Sequence, residues 1–238
     1  MNKILNSIKK ELERNIDLNY KKGATRYFKE TVTFIGVRTP IVRNIARKIA
    51  KNYKNLRYEE TIKLCEELLK KKYFEYGIIA FTLMDFYKKK FNKDTFKIFE
   101  SWLNKYVDNW AWCDFLCTDL IYSVIEKYPD LILKVEKWAY SKNRWLRRAS
   151  AVSFVRAGNR GLFLKDILKI ASILLEDKDD LVQKGVGWML KETTKSKNKD
   201  TVIKFIETNK RKMPRTMLRY AIEKLSEEKR KEILRSSK

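Results

Sequence analysis

Apolar residues recur at helical spacing along nearly the whole chain. Ile41, Ile45 and Ile49 lie four apart, and Val42, Ala46 and Tyr53 widen the same stripe. Positions three and four apart share one face of a helix, so the stripe is a face packed on a neighbour. Thr39-Pro40 reads as an N-cap followed by proline at the first helical position. Asp94, Asp180 and Asp200 give similar start signals. No β-hairpin signal stands out. The pattern predicts about a dozen helices joined by short polar loops.

The helices are expected to come in pairs. First helices of successive pairs should begin near Pro40, Tyr73, Trp110, Trp145, Leu181 and Pro214, at intervals of roughly thirty-odd residues. Such intervals are the repeat lengths of helical-hairpin solenoids. WLRRASAV (145–152) and LVQKGVGW (181–188) align, so that Arg148 matches Lys184, Ala149 matches Gly185 and Ala151 matches Gly187. NWAWCD (109–114) fits the same rule with Trp110 in the basic slot and Ala111 and Cys113 in the small slots. The small residues let neighbouring helices approach closely. The expected fold is all-α, a right-handed superhelical solenoid of antiparallel helix pairs forming a single domain over 1–238. In a solenoid, equivalent positions line one surface, often the concave one. Trp110, Arg148 and Lys184 then form one row. One turn on, Asp114, Val152 and Trp188 form a second.

Composition narrows the picture further. Only 7 Gly and 3 Pro leave little material for tight turns, which argues against a sandwich or barrel. Lys plus Arg number 54 against 30 acidic residues, a formal charge of +24. A charge of that size draws the protein to polyanions. Lys dominates the basic count, so Arg is the better indicator, its planar fork matching phosphate geometry. No Arg occurs between Asn92 and Asn143, and then Arg144, Arg147, Arg148, Arg156 and Arg160 come together. Aromatic faces beside such cations suit sugars or bases, with the cations on phosphates.

The chain has no histidine, which excludes a Ser–His or Cys–His nucleophile within it and any His-containing zinc site. Its three cysteines, Cys65, Cys113 and Cys117, cannot close a structural zinc site alone, and an odd count suits a reducing compartment. Cys113 and Cys117 are four apart on an expected helix and read as small core residues. No apolar h-region follows the charged start MNKILNSIKKELER. The longest uncharged apolar stretch, Tyr76 to Met84, is too short to span a bilayer. A cytoplasmic, soluble protein is expected, and a monomer, since no heptad seam is evident.

Four segments resemble the DNA alkylation repair family of DNA glycosylases, built from HEAT-like helical repeats. They are RYFKETVTFIGVRTP (26–40), NWAWCD (109–114), WLRRASAV (145–152) and QKGVGWMLKE (183–192), in the family's order and spacing across nearly the whole chain. The resemblance implies hydrolysis of the glycosidic bond of N3- and N7-alkylated purines, such as 3-methyladenine and 7-methylguanine, in double-stranded DNA. It implies no metal and no organic cofactor, and a concave cleft that does not swing the damaged base into a pocket. By the same resemblance Asp114 is the catalytic carboxylate and Trp110 its aromatic partner. Arg148, rather than Arg147, contacts a phosphate, Trp188 is the second cleft tryptophan, and Tyr27 lies near the DNA. Ala111 departs from the family, in which many relatives carry an acidic residue just after the tryptophan.

The chemistry implied is economical. An alkylated purine already carries positive charge and leaves readily, so no general acid is required. Positive charge shifts onto the deoxyribose as the bond breaks, and a carboxylate beside the sugar stabilises it and can position water. Asp114 sits in WAWCDFLC, a run otherwise free of charge. Trp110 and Trp188 would hold the nucleotide by their faces, at roughly 0.5–2 kcal/mol each. Lys184 and Arg147 are candidates for additional phosphate contacts. Two other functions fit the same fold: a relative that binds branched or damaged DNA without excising bases, and a protein-interaction scaffold.

Overall fold

The six expected first helices form where the apolar stripes begin. In a computed structural model that describes residues 1–235, the chain folds into sixteen α-helical segments. They are α1 (Asn2–Glu13), α2 (Leu18–Ala24), α3 (Thr39–Asn52), α4 (Tyr58–Lys70), α5 (Phe74–Asp85) and α6 (Lys93–Lys105). Then α7 (Trp110–Phe115) runs through a π-helical stretch, Leu116–Ile121, into α8 (Tyr122–Lys127). The rest are α9 (Ile132–Trp138), α10 (Arg144–Val152), α11 (Val155–Asn159), α12 (Leu164–Ile173), α13 (Asp180–Thr193), α14 (Lys199–Asn209), α15 (Arg215–Ala221) and α16 (Glu227–Arg235). Among the described residues no strand forms; a lone bridge pairs Thr33 with Tyr73.

The chain divides into two compact units, Met1–Ser123 and Val124–Lys238. Each is organised around one middle helix. In the first unit α5 packs on α3, α4 and α7. Its residues Phe74 to Met84 are all buried, which is why the sequence there shows no polar face. In the second unit α13 packs on α10, α11 and α15. In α3 the stripe is buried at Val42, Ile45, Ala46 and Ile49, with Ile41 half-exposed at its edge.

Helix starts differ from the expectation by one or two residues. Arg38, not Thr39, occupies the N-cap of α3, without a side-chain cap, and Pro40 lies in the first turn. The caps at the other three starts are Asn92, Asp179 and Asn198, so Asp94, Asp180 and Asp200 sit inside the first turn. A carboxylate there is stabilised by the helix dipole without capping, which gives it the same composition signal as a cap.

Candidate functional site

In the first unit the site grows from the start of α7. Buried Asn109 caps this helix, its Oδ1 accepting from the Trp112 amide at 2.9 Å. Trp112 is itself buried and donates from Nε1 to the Phe74 carbonyl at 3.0 Å. It fits only because residue 77 is glycine: a Cβ there would lie 2.1 Å from the indole. These contacts lock α7 onto α5 and fix the direction of Trp110, the first residue of α7.

The Trp110 indole is half-buried and pinned twice. One face stacks on Phe28, centroids 5.1 Å apart and planes 17° apart. Its Nε1 donates to the Tyr27 carbonyl at 3.4 Å. Phe28 packs in turn on Phe34 and Phe74, at 5.7 and 5.8 Å. The Tyr27 side chain is 79% exposed, so the neighbour of the platform residue points an aromatic ring into solvent.

The segment that carries Phe28 and Phe34 has little regular structure of its own. It is held by Glu75, a fully buried carboxylate on α5. Glu75 accepts from the amides of Ile35, Gly36 and Val37 at 2.9, 2.8 and 3.0 Å. Three backbone donors satisfy an otherwise costly buried acid. Asp17 ties the far side, donating its amide to the Gly36 carbonyl at 2.8 Å and accepting from Arg38 at 3.0 Å. The amide of Tyr20, then Arg38, hold the Asp17 carboxyl below its usual range. Gly36 adopts φ +114°, which L side chains rarely reach. Sequence reading missed Glu75. The signal was one acid at the edge of the most apolar run of the chain.

Asp114 lies one turn beyond Trp110, so the two share a helix face. It is half-buried, and its carbonyl accepts from Thr118 Oγ1 at 2.8 Å. The π-helical stretch starts two residues later. Such a widened turn redirects side chains and recurs at functional sites. Phe115 turns inward, against Phe81 at 5.7 Å and under the Arg43 guanidinium at 5.0 Å. Cys113 and Cys117 are buried, as expected of core residues, and so is Cys65, whose thiol burial pushes up.

In the second unit the arginines of α10 divide their work. Arg147 reaches out of its helix to Asp177 at 2.7 Å and to the carbonyls of Ser141 and Lys142 at 3.0 and 3.1 Å. Arg144 pairs with Asp179 at 2.8 Å and lies over the Trp145 ring. Asp179 is also the cap of α13, accepting from the amides of Leu181 and Val182. Two Arg–Asp pairs therefore staple the start of α13 to α10. Arg148 is different: only 5% exposed, it runs between the helices and donates to the Leu181 carbonyl. Gly185 makes room for it, since a Cβ there would sit 3.3 Å from Arg148 Cγ. Lys184 is half-exposed, with Asp180 at 3.4 Å. Trp188, one turn on, is half-exposed on the same face.

The caps correct one repeat alignment. Asn109, Asn143 and Asp179 are equivalent starts of α7, α10 and α13. Counted from them, Asp114, Arg148 and Lys184 occupy the same position of their helices, and Trp110 is equivalent to Arg144. The expected match of Trp110 with Arg148 is thus out by one turn. Ala111 and Cys113 imitated the small-residue rule, but in this helix the residue at the Gly185 level is Phe115.

The family model for DNA alkylation repair enzymes matches residues 8–225. The chain belongs to the DNA alkylation repair enzyme family. A structure described as a predicted DNA alkylation repair enzyme from Enterococcus faecalis superposes with a TM-score of 0.79, at 15% identity over 90% of this chain and 98% of that one. AlkD2 from Streptococcus mutans gives 0.59, at 20% identity over 80% of this chain and 91% of that one. The smu.31 protein of Streptococcus mutans UA159 gives 0.57, at 20% identity over 79% of this chain and 99% of that one. No curated protein sequence matches. At these identities the likeness is one of fold, the all-helical repeat architecture expected above. Family membership implies DNA as the partner. Among the described residues no helix is long and apolar enough to cross a membrane.

Proposed function

We propose that this family member is a DNA glycosylase that hydrolyses the N-glycosidic bond of cationic N3- and N7-alkylated purines, with Asp114 as the catalytic carboxylate. The observation that carries the reading is the pairing on α7 of a half-exposed acid with an indole already fixed in orientation. Trp110 has one face filled by Phe28 and its N–H satisfied by Tyr27. In this reading its other face meets the deoxyribose, and an indole already held in place needs no reorganisation when charge develops there. Asp114, on the same helix face, stabilises the positive charge as the base departs and orients water. Tyr27 adds an exposed ring for the DNA.

The second unit supplies affinity in this reading. Lys184 contacts a phosphate and Trp188 packs on a sugar or base. Arg148 contributes a fixed positive charge, its guanidinium held on Leu181 rather than free in solvent. Arg147 reaches a phosphate only by loosening its pair with Asp177.

The test is base release from duplex DNA containing 7-methylguanine. Asp114→Asn, which keeps the shape and removes the charge, is expected to slow release by about 100-fold or more while leaving duplex affinity nearly unchanged. Release at the wild-type rate from the variant would remove Asp114 from the mechanism. Tight binding without release by the wild-type protein would favour a non-catalytic DNA-binding role.

A further inference from the structure

A cleft of about 440 Å³ opens in the first unit between the end of α3, the start of α4 and the end of α5. Its volume is within the range of small-ligand sites. The floor is apolar, formed by Leu64, Leu83 and their neighbours, and Phe86 stands 55% exposed at its mouth. Every charged residue that lines it is a cation: Arg47, Lys51 and Lys54. Among the described residues Lys51 and Lys54 have no acidic partner, and Arg47 donates only to Asn44 on its own helix. Elsewhere in this unit four of the described lysines pair with an acid three or four residues away, among them Lys70 with Glu67 and Lys97 with Asp94. Lys51 complements the dipole at the end of α3. That dipole accounts neither for an apolar floor left open nor for the partly exposed phenyl ring.

We infer that this cleft is a binding site for a small organic anion with an apolar body, a carboxylate or sulfonate whose chain or ring fills the floor while its charge meets Lys51, Lys54 and Arg47. An apolar body without charge would leave the cations unused, and a free inorganic anion would leave the floor wet. The proposal is independent of the glycosylase reading, and its test reads a different quantity.

The probe is decanoate, titrated calorimetrically into the full chain, with decyltrimethylammonium as its cationic counterpart. Saturable binding of one decanoate per chain and none of the cation is expected. Lys51→Ala with Lys54→Ala should weaken decanoate by about 10-fold or more, the loss of roughly one charge-assisted hydrogen bond. Ala50→Trp, which fills the cleft, should abolish it with the thermal transition retained; should that variant fail to fold, the lysine pair carries the test. Equal binding of both amphiphiles, or decanoate affinity untouched by the lysine substitutions, overturns the proposal. So does a loss of duplex affinity in the lysine variant with decanoate unaffected, which would assign these cations to DNA.

Discussion

The two units use the same frame and hold their candidate residues by opposite means. In each, a middle first helix packs between two others, α5 between α3 and α7, and α13 between α10 and α15. In the second unit the frame itself does the holding: glycines set helix spacing and Arg–Asp pairs fix the helix start. In the first unit an irregular segment, residues 28–38, is laid across the frame chiefly by the buried carboxylate of Glu75, with Asp17 tying its far side, and it is this segment that orients Trp110. Regular packing tolerates local damage, because each contact is one of many. A segment that hangs three successive amides on one carboxylate should loosen along its length when that group is lost.

The largest effect expected from that difference is at Glu75. Glu75→Ala leaves three amides, of Ile35, Gly36 and Val37, buried without their acceptor. At about 1–3 kcal/mol for each unsatisfied donor, partly relieved by water, the cost should be roughly 3–5 kcal/mol. Hydrogen exchange of those amides should accelerate and the fluorescence of Trp110 should change, since Phe28 no longer stays beneath it. A loss below about 1 kcal/mol with exchange unaltered would show that the segment stands without its carboxylate.

The second unit offers a graded counterpart in two glycines of one helix. A Cβ at Gly187 would lie 2.5 Å from Tyr220 Cβ and 2.7 Å from the Met217 carbonyl on α15. Gly187→Ala should therefore cost about 2 kcal/mol by overpacking. At Gly185 the nearest atoms are at 3.3 Å, on the side chains of Arg148 and Val152. They can shift by a few tenths of an ångström, and the gain in helix propensity, close to 1 kcal/mol, offsets the crowding. Gly185→Ala should stay within about 0.5 kcal/mol of wild type in denaturant unfolding. Equal losses at both positions would refute the assignment of the close approach to the α13–α15 contact.

How far the sequence could be read follows the same division. Periodicity located all six first helices, because a 3.6-residue repeat is a local property of each segment. The small positions Ala149, Gly185 and Gly187 were legible for the same reason, and so was the burial of Cys113 and Cys117. Glu75 was not legible, since its partners are 38 to 40 residues away and no local pattern announces them. Phe28 escaped notice likewise: it becomes a platform only when Trp110, far along the chain, lands on it. The alignment of Trp110 with Arg148 slipped by one turn because small residues recur every turn, whereas caps mark a helix start uniquely.

A medium effect is expected at Asp177. Its carboxylate is 8% exposed and accepts from Arg147 at 2.7 Å and from the Asp179 amide at 2.9 Å. Asp177→Ala frees the Arg147 fork and loosens the cap of α13, at about 1–2 kcal/mol. The same variant should bind duplex DNA slightly more tightly at low salt, because an acid is gone and a guanidinium released. Weaker binding would mean that the pair is needed to shape the DNA-facing surface rather than merely to secure the helix.

Lys184 should give the smallest change in stability and the cleanest change in binding. Its ammonium lies 3.4 Å from Asp180, both side chains about one-third exposed. Exposed pairs of this kind contribute between nothing and about 1 kcal/mol, so Lys184→Ala should unfold within about 0.5 kcal/mol of wild type. If its ammonium meets a phosphate, the slope of log affinity against log salt should fall by about one unit, uniformly across DNA sequences. Arg147→Ala should show the reverse: a measurable loss of stability and a slope little altered, since its fork is engaged by Asp177 and two carbonyls. On that outcome two cations 37 positions apart in one unit would separate a charge that meets a phosphate from a charge that builds the helix pair. If the two variants changed slope equally, that separation would be lost, and the Arg147–Asp177 pair would have to open when DNA binds.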